Sequence, residues 1–265
     1  MKFIVGGSST TNDQSWPTWA TWTKKRYDLI EFNDVSVKGL GNEVILLKTL
    51  QVAKQSPDPF LLVQLTSIDK WDWYVEDCEL IKLLDNERHP AVRLNSTDDS
   101  GFWSTGSHFP RWKEYYYNNY FGVKYFTYKT LLNIHWFQLV CQKNNWQYYI
   151  LFDSPILSVT ENQLNTGKLD KTECLSTPLV ENSLCQLIYD QIDWTNIYTP
   201  GIIGYACLND LPWYTKRYKG HPGSLVHYKF FKDIIDPHLS QIIHSDKKID
   251  DFLIEATKYQ NLVDA

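Results

Sequence analysis

The chain has 265 residues, a hydrophobic fraction of 43% and a formal net charge of -5. That length fits a single α/β domain over 1–265, and the apolar fraction fills a core of ordinary size. The mild acidity offers no basic footprint for nucleic acid, and no run of about 18 apolar residues points to a membrane span.

The five cysteines, Cys78, Cys141, Cys174, Cys185 and Cys207, are odd in number and lack CxxC spacing. They read as free thiols in a reducing compartment rather than as a disulfide framework or zinc site. The opening apolar run, Met1-Lys2-Phe3-Ile4-Val5, is too short for a signal peptide, so cytoplasmic synthesis is expected. Aromatic residues make up 15%, with 11 Trp and 17 Tyr against one Met. Flat aromatic faces suit sugar rings, and they equally fill a core that lacks Met.

Lys2 to Val5 predicts a buried strand ending in Gly6-Gly7-Ser8-Ser9. Ser15-Trp16-Pro17 supplies helix-start chemistry for a helix to about Arg26. Asp28 to Phe32 reads as a second strand, Lys38 to Asn42 as a glycine-bearing turn, and Glu43 to Lys54 as a helix. After Pro59, the run from Phe60 to Leu65 is that of a buried parallel strand. Alternating strands and helices over the first seventy residues predict a parallel sheet with right-handed crossovers.

Residues 85–112 are rich in turn formers and predict a long inserted loop. A helix is expected from Lys124 to Lys143, with Tyr128, Leu131, Leu132, His135 and Leu139 on one face, then a strand from Trp146 to Phe152. The pattern from Ser158 to Thr199 is weak and reads as loops and short helices. A last helix is expected from Ser224 to Ile243.

In open α/β sheets, ligands bind beyond the carboxyl ends of the strands. Ser8 follows the first strand between small residues, where backbone N–H groups can face a developing oxyanion. A serine hydroxyl needs a base, and His221 in the Gly220-His221-Pro222-Gly223 loop is the candidate. Other groups carry less chemistry. Asp98-Asp99 reads as a solvated pair, and His89 and His108 lack a third ligand at metal spacing. His135 reads as a packed core histidine, and His227 as capping or packing.

Gly6-Gly7-Ser8-Ser9-Thr10 followed by Trp16-Pro17 resembles the first block of the SGNH (GDSL) hydrolases. Gly39-Leu40-Gly41-Asn42 resembles their second block, Leu65-Thr66-Ser67-Ile68-Asp69 lies where the third is expected, and Gly220-His221-Pro222-Gly223-Ser224 looks like the fifth. The resemblance implies a three-layer α/β/α sandwich with a mainly parallel, flavodoxin-like sheet. It implies ester hydrolysis on acylated carbohydrate or another acylated substrate, without a metal or organic cofactor. Ser8 would be the nucleophile, His221 its base and Asp210 the orienting acid. The N–H groups of Ser8 and of Gly41 or Gly39 would form the oxyanion hole, with Asn42, Asp69, Trp71 and Trp73 along the substrate.

The chain departs from the family pattern at three places. Gly7 stands where aspartate is usual, Ile68 where the third-block asparagine would donate, and Tyr218 and Lys219 where an acid precedes the histidine. The nearest upstream acid, Asp210, lies eleven residues before His221. These departures keep a second expectation open: an inactive SGNH-like glycan-binding or structural module, associated with a virion if the chain is a viral member, with homo-oligomer contacts. A sugar-nucleotide transferase is disfavoured, because no glycine-rich phosphate loop or Asp-x-Asp follows a strand.

Overall fold

The structure is a computed structural model that describes residues 1–8, 11, 16–28, 31–37, 41–66, 72–75, 101–104, 123–155, 183–212 and 221–264. Five strands form the central sheet: β1 (Lys2–Gly6), β2 (Phe32–Asp34), β3 (Pro59–Leu65), β6 (Gln147–Phe152) and β7 (Ile197–Tyr198), in the order β2-β1-β3-β6-β7. All four pairings are parallel, as the apolar runs require of a sheet covered on both faces. A separate hairpin pairs β4 (Asp72–Val75) antiparallel with β5 (Gly101–Ser104).

Helices cover both faces, giving three layers. Alternate strand residues Ile4, Leu61, Val63, Leu65, Ile150 and Phe152 face α2 (Asn42–Ala53), α3 (Val123–Asn144) and α4 (Ser183–Tyr189). The intervening Phe3, Val5, Phe60, Leu62, Tyr149 and Leu151 face the other layer. That layer holds α1 (Trp19–Tyr27), α5 (Gly201–Leu208), α6 (Ser224–Phe230), a π-helical turn over Phe231–Ile235, α7 (Asp236–Leu239) and α8 (Leu253–Asp264). Period-two burial on each strand thus divides one sheet between two cores.

Several boundaries differ from the sequence expectation, each for a local reason. Helix α1 starts at Trp19 behind the N-cap Thr18, whose N–H donates to Thr21 Oγ1 at 3.3 Å, rather than at Ser15. It ends at Asp28, which adopts φ 49° and donates its N–H to the Lys24 carbonyl. Asp28 therefore closes a helix, and the strand expected from it begins only at Phe32. Within the weak 158–199 segment lie α4 and the two-residue strand β7. Residues 101–104 of the expected loop form β5; the rest of 85–112 lies outside the described residues. The final helix is broken by the π turn and stops at Leu239.

The helix α3 holds the expected span but buries another face. Phe126, Thr130, Ile134, Phe137 and Cys141 are buried, whereas Leu132 is 38% and Leu139 49% exposed. Leu131 is buried and His135 is intermediate. Both sides of this helix carry apolar residues, so periodicity identifies two candidate faces and only packing chooses between them.

One polar side chain sits inside the sheet. Gln64 of β3 is fully buried on the α1 side. Its Oε1 accepts the Thr11 hydroxyl at 2.6 Å and the Trp19 indole N–H at 2.9 Å, and its Nε2 donates to the Phe152 carbonyl at 3.4 Å. Replacing Gln64 with alanine strands two buried donors, at about 1–3 kcal/mol each. We expect Gln64→Ala to lose about 2–5 kcal/mol in urea unfolding followed by tryptophan fluorescence. An unfolding free energy within error of wild type would show that these bonds add nothing.

Candidate functional site at the carboxyl edge of the sheet

The strand order reverses between β1 and β3, because α1 crosses on one face and α2 on the other. In doubly wound sheets this reversal opens a crevice beyond the carboxyl ends of the two strands, where ligands bind. The residues that end those strands are Gly6-Gly7-Ser8 and Leu65-Thr66.

The turn after β1 is tightly built. The Thr11 N–H donates to the Ser8 carbonyl at 3.1 Å, and the Thr18 hydroxyl donates to the Thr11 carbonyl at 2.7 Å. A Cβ on Gly7 would stand 2.0 Å from Thr11 Oγ1, which is itself held on Gln64. An aspartate at this position, usual in the resembled family, would collide with that bond. Ser8 is 1% exposed, and its hydroxyl has no hydrogen-bond partner among the described residues.

Across the crevice, Asn42 in the first turn of α2 uses both ends of its amide on one residue. Its Nδ2 donates to the Thr66 carbonyl at 3.1 Å, and its Oδ1 accepts the Thr66 N–H at 2.8 Å. The Thr66 hydroxyl donates to Asp153 Oδ2 at 2.9 Å, and the Ser154 hydroxyl donates to Oδ1 at 3.0 Å. Asp153, 6% exposed at the end of β6, also accepts the Ile203 N–H on its carbonyl at 3.0 Å. The chain can start α5 this close because Gly201 takes φ 65°; a Cβ there would meet the Phe152 carbonyl oxygen at 2.8 Å. Asp153 is a buried carboxylate that sequence reading passed over, although its place directly after an apolar strand is the signal for such a group.

The late histidine loop is tied to the segment that leads into α1. The Trp16 indole N–H donates to the Pro222 carbonyl at 3.1 Å, joining the segment after β1 to the residue next to His221. His227 in α6 is buried, and its Nδ1 accepts the Trp19 N–H, an otherwise orphan donor at the start of α1, at 3.4 Å. This is the capping and packing role expected of it. Accepting at Nδ1 leaves the neutral ring's proton on Nε2, so His227 is no acceptor for a second imidazole. Ser224, one turn earlier, is buried with a hydroxyl unpartnered among the described residues.

His221 is part-exposed, and Asp210 is exposed just after α5 with φ 53°. Gly41 is the N-cap of α2. Trp73 pairs with Trp103 in the hairpin. Gly39, Asp69 and Trp71 lie outside the described residues. The turn of Ser8 and the start of α2 lie at this edge, and Trp16 ties the residue next to His221 to the segment between that turn and α1. Among the described residues no three His, Cys, Asp or Glu side chains are grouped to hold a metal ion.

Burial pushes the pKa of His227 down to about 3, with the nearby His221 adding to the effect. The unfolded chain takes up that proton near 6.5, so below this pH the unfolded state binds more protons than the folded one. The stabilisation is complete above about 6.5 and is lost as pH falls towards 3, by at most about 1.4 kcal/mol per pH unit. We expect urea midpoints to fall from pH 7 to pH 4 more steeply in wild type than in His227→Gln, and parallel slopes would clear His227 of the effect. In the comparisons with known proteins, no family model, no curated protein and no solved structure matches this chain.

Proposed function

We propose that the crevice between β1 and β3 is an SGNH-type acyl-transfer site acting on acylated carbohydrate. The observation that carries this reading is the Ser8 hydroxyl, buried at the switch point without a partner among the described residues, in the chain stretch that Trp16 ties to the residue next to His221. A buried polar group left unpaired costs about 1–3 kcal/mol, and folded proteins keep few of them. A hydroxyl held for reaction accounts for one here.

In this mechanism His221 takes the Ser8 proton as Oγ attacks the carbonyl carbon of the ester. The tetrahedral oxyanion is held by the N–H groups of Ser8 and Gly41, where the N-terminus of the twelve-residue α2 adds its positive dipole end. His221 returns the proton to the departing sugar hydroxyl, which leaves an acyl-Ser8. A water gives a proton to His221 and attacks that ester; the bond from the acyl carbon to Ser8 Oγ breaks, His221 returns the proton to Oγ, and the acid is released. The Asn42 amide, engaged with Thr66, acts by holding α2 against the end of β3. The preference for carbohydrate rests on the aromatic content, 11 Trp and 17 Tyr.

A second reading, a non-catalytic glycan-binding or structural module on the same fold, is favoured by the burial of Ser8 itself, 1% exposed. The two diverge in hydrolysis of p-nitrophenyl acetate. Acyl transfer predicts that Ser8→Ala and His221→Ala each lose about 10²–10⁴ in rate. It also predicts that Ser8→Ala leaves the thermal midpoint equal or higher, because an unpaired hydroxyl has been removed. Equal rates for wild type and Ser8→Ala would exclude the enzyme and leave the module.

A further inference from the structure

Helix α3 presents a second apolar face, away from the sheet. Tyr125 is 54%, Leu132 38%, Trp136 41% and Leu139 49% exposed, and Tyr128 lies partly buried beside them. These five positions fall on one stripe, within about 40° of Leu132 around the helix axis at 3.6 residues per turn. The buried residues, Phe126, Ile134, Phe137 and Cys141, lie on the opposite side. The neighbouring α4 adds exposed Leu184 and Leu187 to the same layer.

We propose that this face is the interface of a two-fold homodimer, with α3 packed antiparallel against α3 of a second copy. The stripe can meet its own copy about a two-fold axis. Taken from Leu132, its members stand at -7, -4, +4 and +7, a pattern that reads the same in both directions. A two-fold contact requires one patch to complement itself, residue i meeting j while j meets i. With the axis at Leu132, that leucine meets its own copy, Tyr128 meets Trp136 ring to ring, and Tyr125 meets Leu139.

Charge and area agree with this. Helix α3 contains no acidic residue, and Lys129 beside the stripe is already paired with Glu43 at 2.8 Å. In the antiparallel register Lys129 faces His135 rather than another lysine, so no like charges are directly opposed. An aromatic side chain offers about 150–250 Å², so the exposed fractions leave on the order of 500 Å² of apolar surface per copy. A pair then covers about 1,000 Å², the lower bound for a specific interface, which suits a dimer of micromolar strength. The dimer stands independently of the acyl-transfer reading.

Sedimentation velocity over roughly 1–100 μM, the range for an interface of this size, tests the proposal. Wild type should rise from 31.2 kDa towards twice that mass. Leu132→Glu and Trp136→Glu should hold the chain monomeric with unchanged far-UV circular dichroism. Should either variant fold poorly, Leu132→Cys provides the second measurement: mild oxidation should link two copies through this position, while Gln142→Cys, off the stripe, should not. A wild type that stays monomeric throughout, or a dimer that persists in both glutamate variants, overturns the assignment. So does a monomer that instead binds vesicles or another protein through this face.

Discussion

A glutamine in the interior of a parallel strand has to find partners for its amide, and Gln64 draws two donors to its oxygen and one acceptor to its nitrogen from three different parts of the chain. Thr11 belongs to the turn that carries Ser8, Trp19 to the first turn of α1, and Phe152 to the end of β6. A slip of one residue in β3 would turn Gln64 towards the opposite core, where α2 and α3 present apolar side chains. The cost of an unpaired buried amide therefore fixes the register of the central strand. With the register fixed, the turn after β1 has one position, and the carboxyl edge takes its shape.

A second set of polar side chains closes the other half of that edge. Asn42 clasps the backbone of Thr66, and the Thr66 hydroxyl reaches Asp153. These bonds run α2–β3–β6, while those of Gln64 run from the post-β1 turn and α1 to β6, so the crevice is framed from both faces of the sheet. His227 extends the frame to the C-terminal third of the chain by accepting the first N–H of α1. Its burial keeps it neutral, and a neutral acceptor is what that N–H requires.

The aromatic abundance has a structural account in much of the described chain. Trp19 and Trp22 are fully buried, Phe3 stacks on Phe60 at 5.0 Å, and Tyr149 stacks on His238 at 4.0 Å. The tyrosines bury their rings and aim their hydroxyls at the layer's polar seams. Tyr27 donates to Asp236 at 2.6 Å, Tyr205 to Asp233, and Tyr228 to the Ile249 carbonyl at 3.2 Å. This combination of apolar ring and polar tip lets these tyrosines pack a layer of short helices on a sheet with their hydroxyls paired. The Trp22 indole N–H and the Ser224 hydroxyl stay buried without a partner among the described residues. The exposed rings at Tyr125 and Trp136 fall outside this account, and they mark the outer stripe of α3.

The sequence by itself determined the order of the central-sheet strands β1, β2, β3 and β6 and of the helices between them, but not the β4–β5 hairpin, because apolar periods of two and 3.6 are local and survive without a partner. It also placed Ser8, Gly41 and Asn42 at element ends, since glycine and capping chemistry are legible residue by residue. Only the tertiary structure decided which side of α3 faces the core, because both sides are apolar and the choice belongs to the surface it meets. Strand β7, two residues long, exists only through pairing with Ile150 and Leu151. The buried roles of Gln64 and Asp153 were hidden for the same reason: a polar side chain at a strand's end is defined by partners distant in sequence, and those are chosen by the fold.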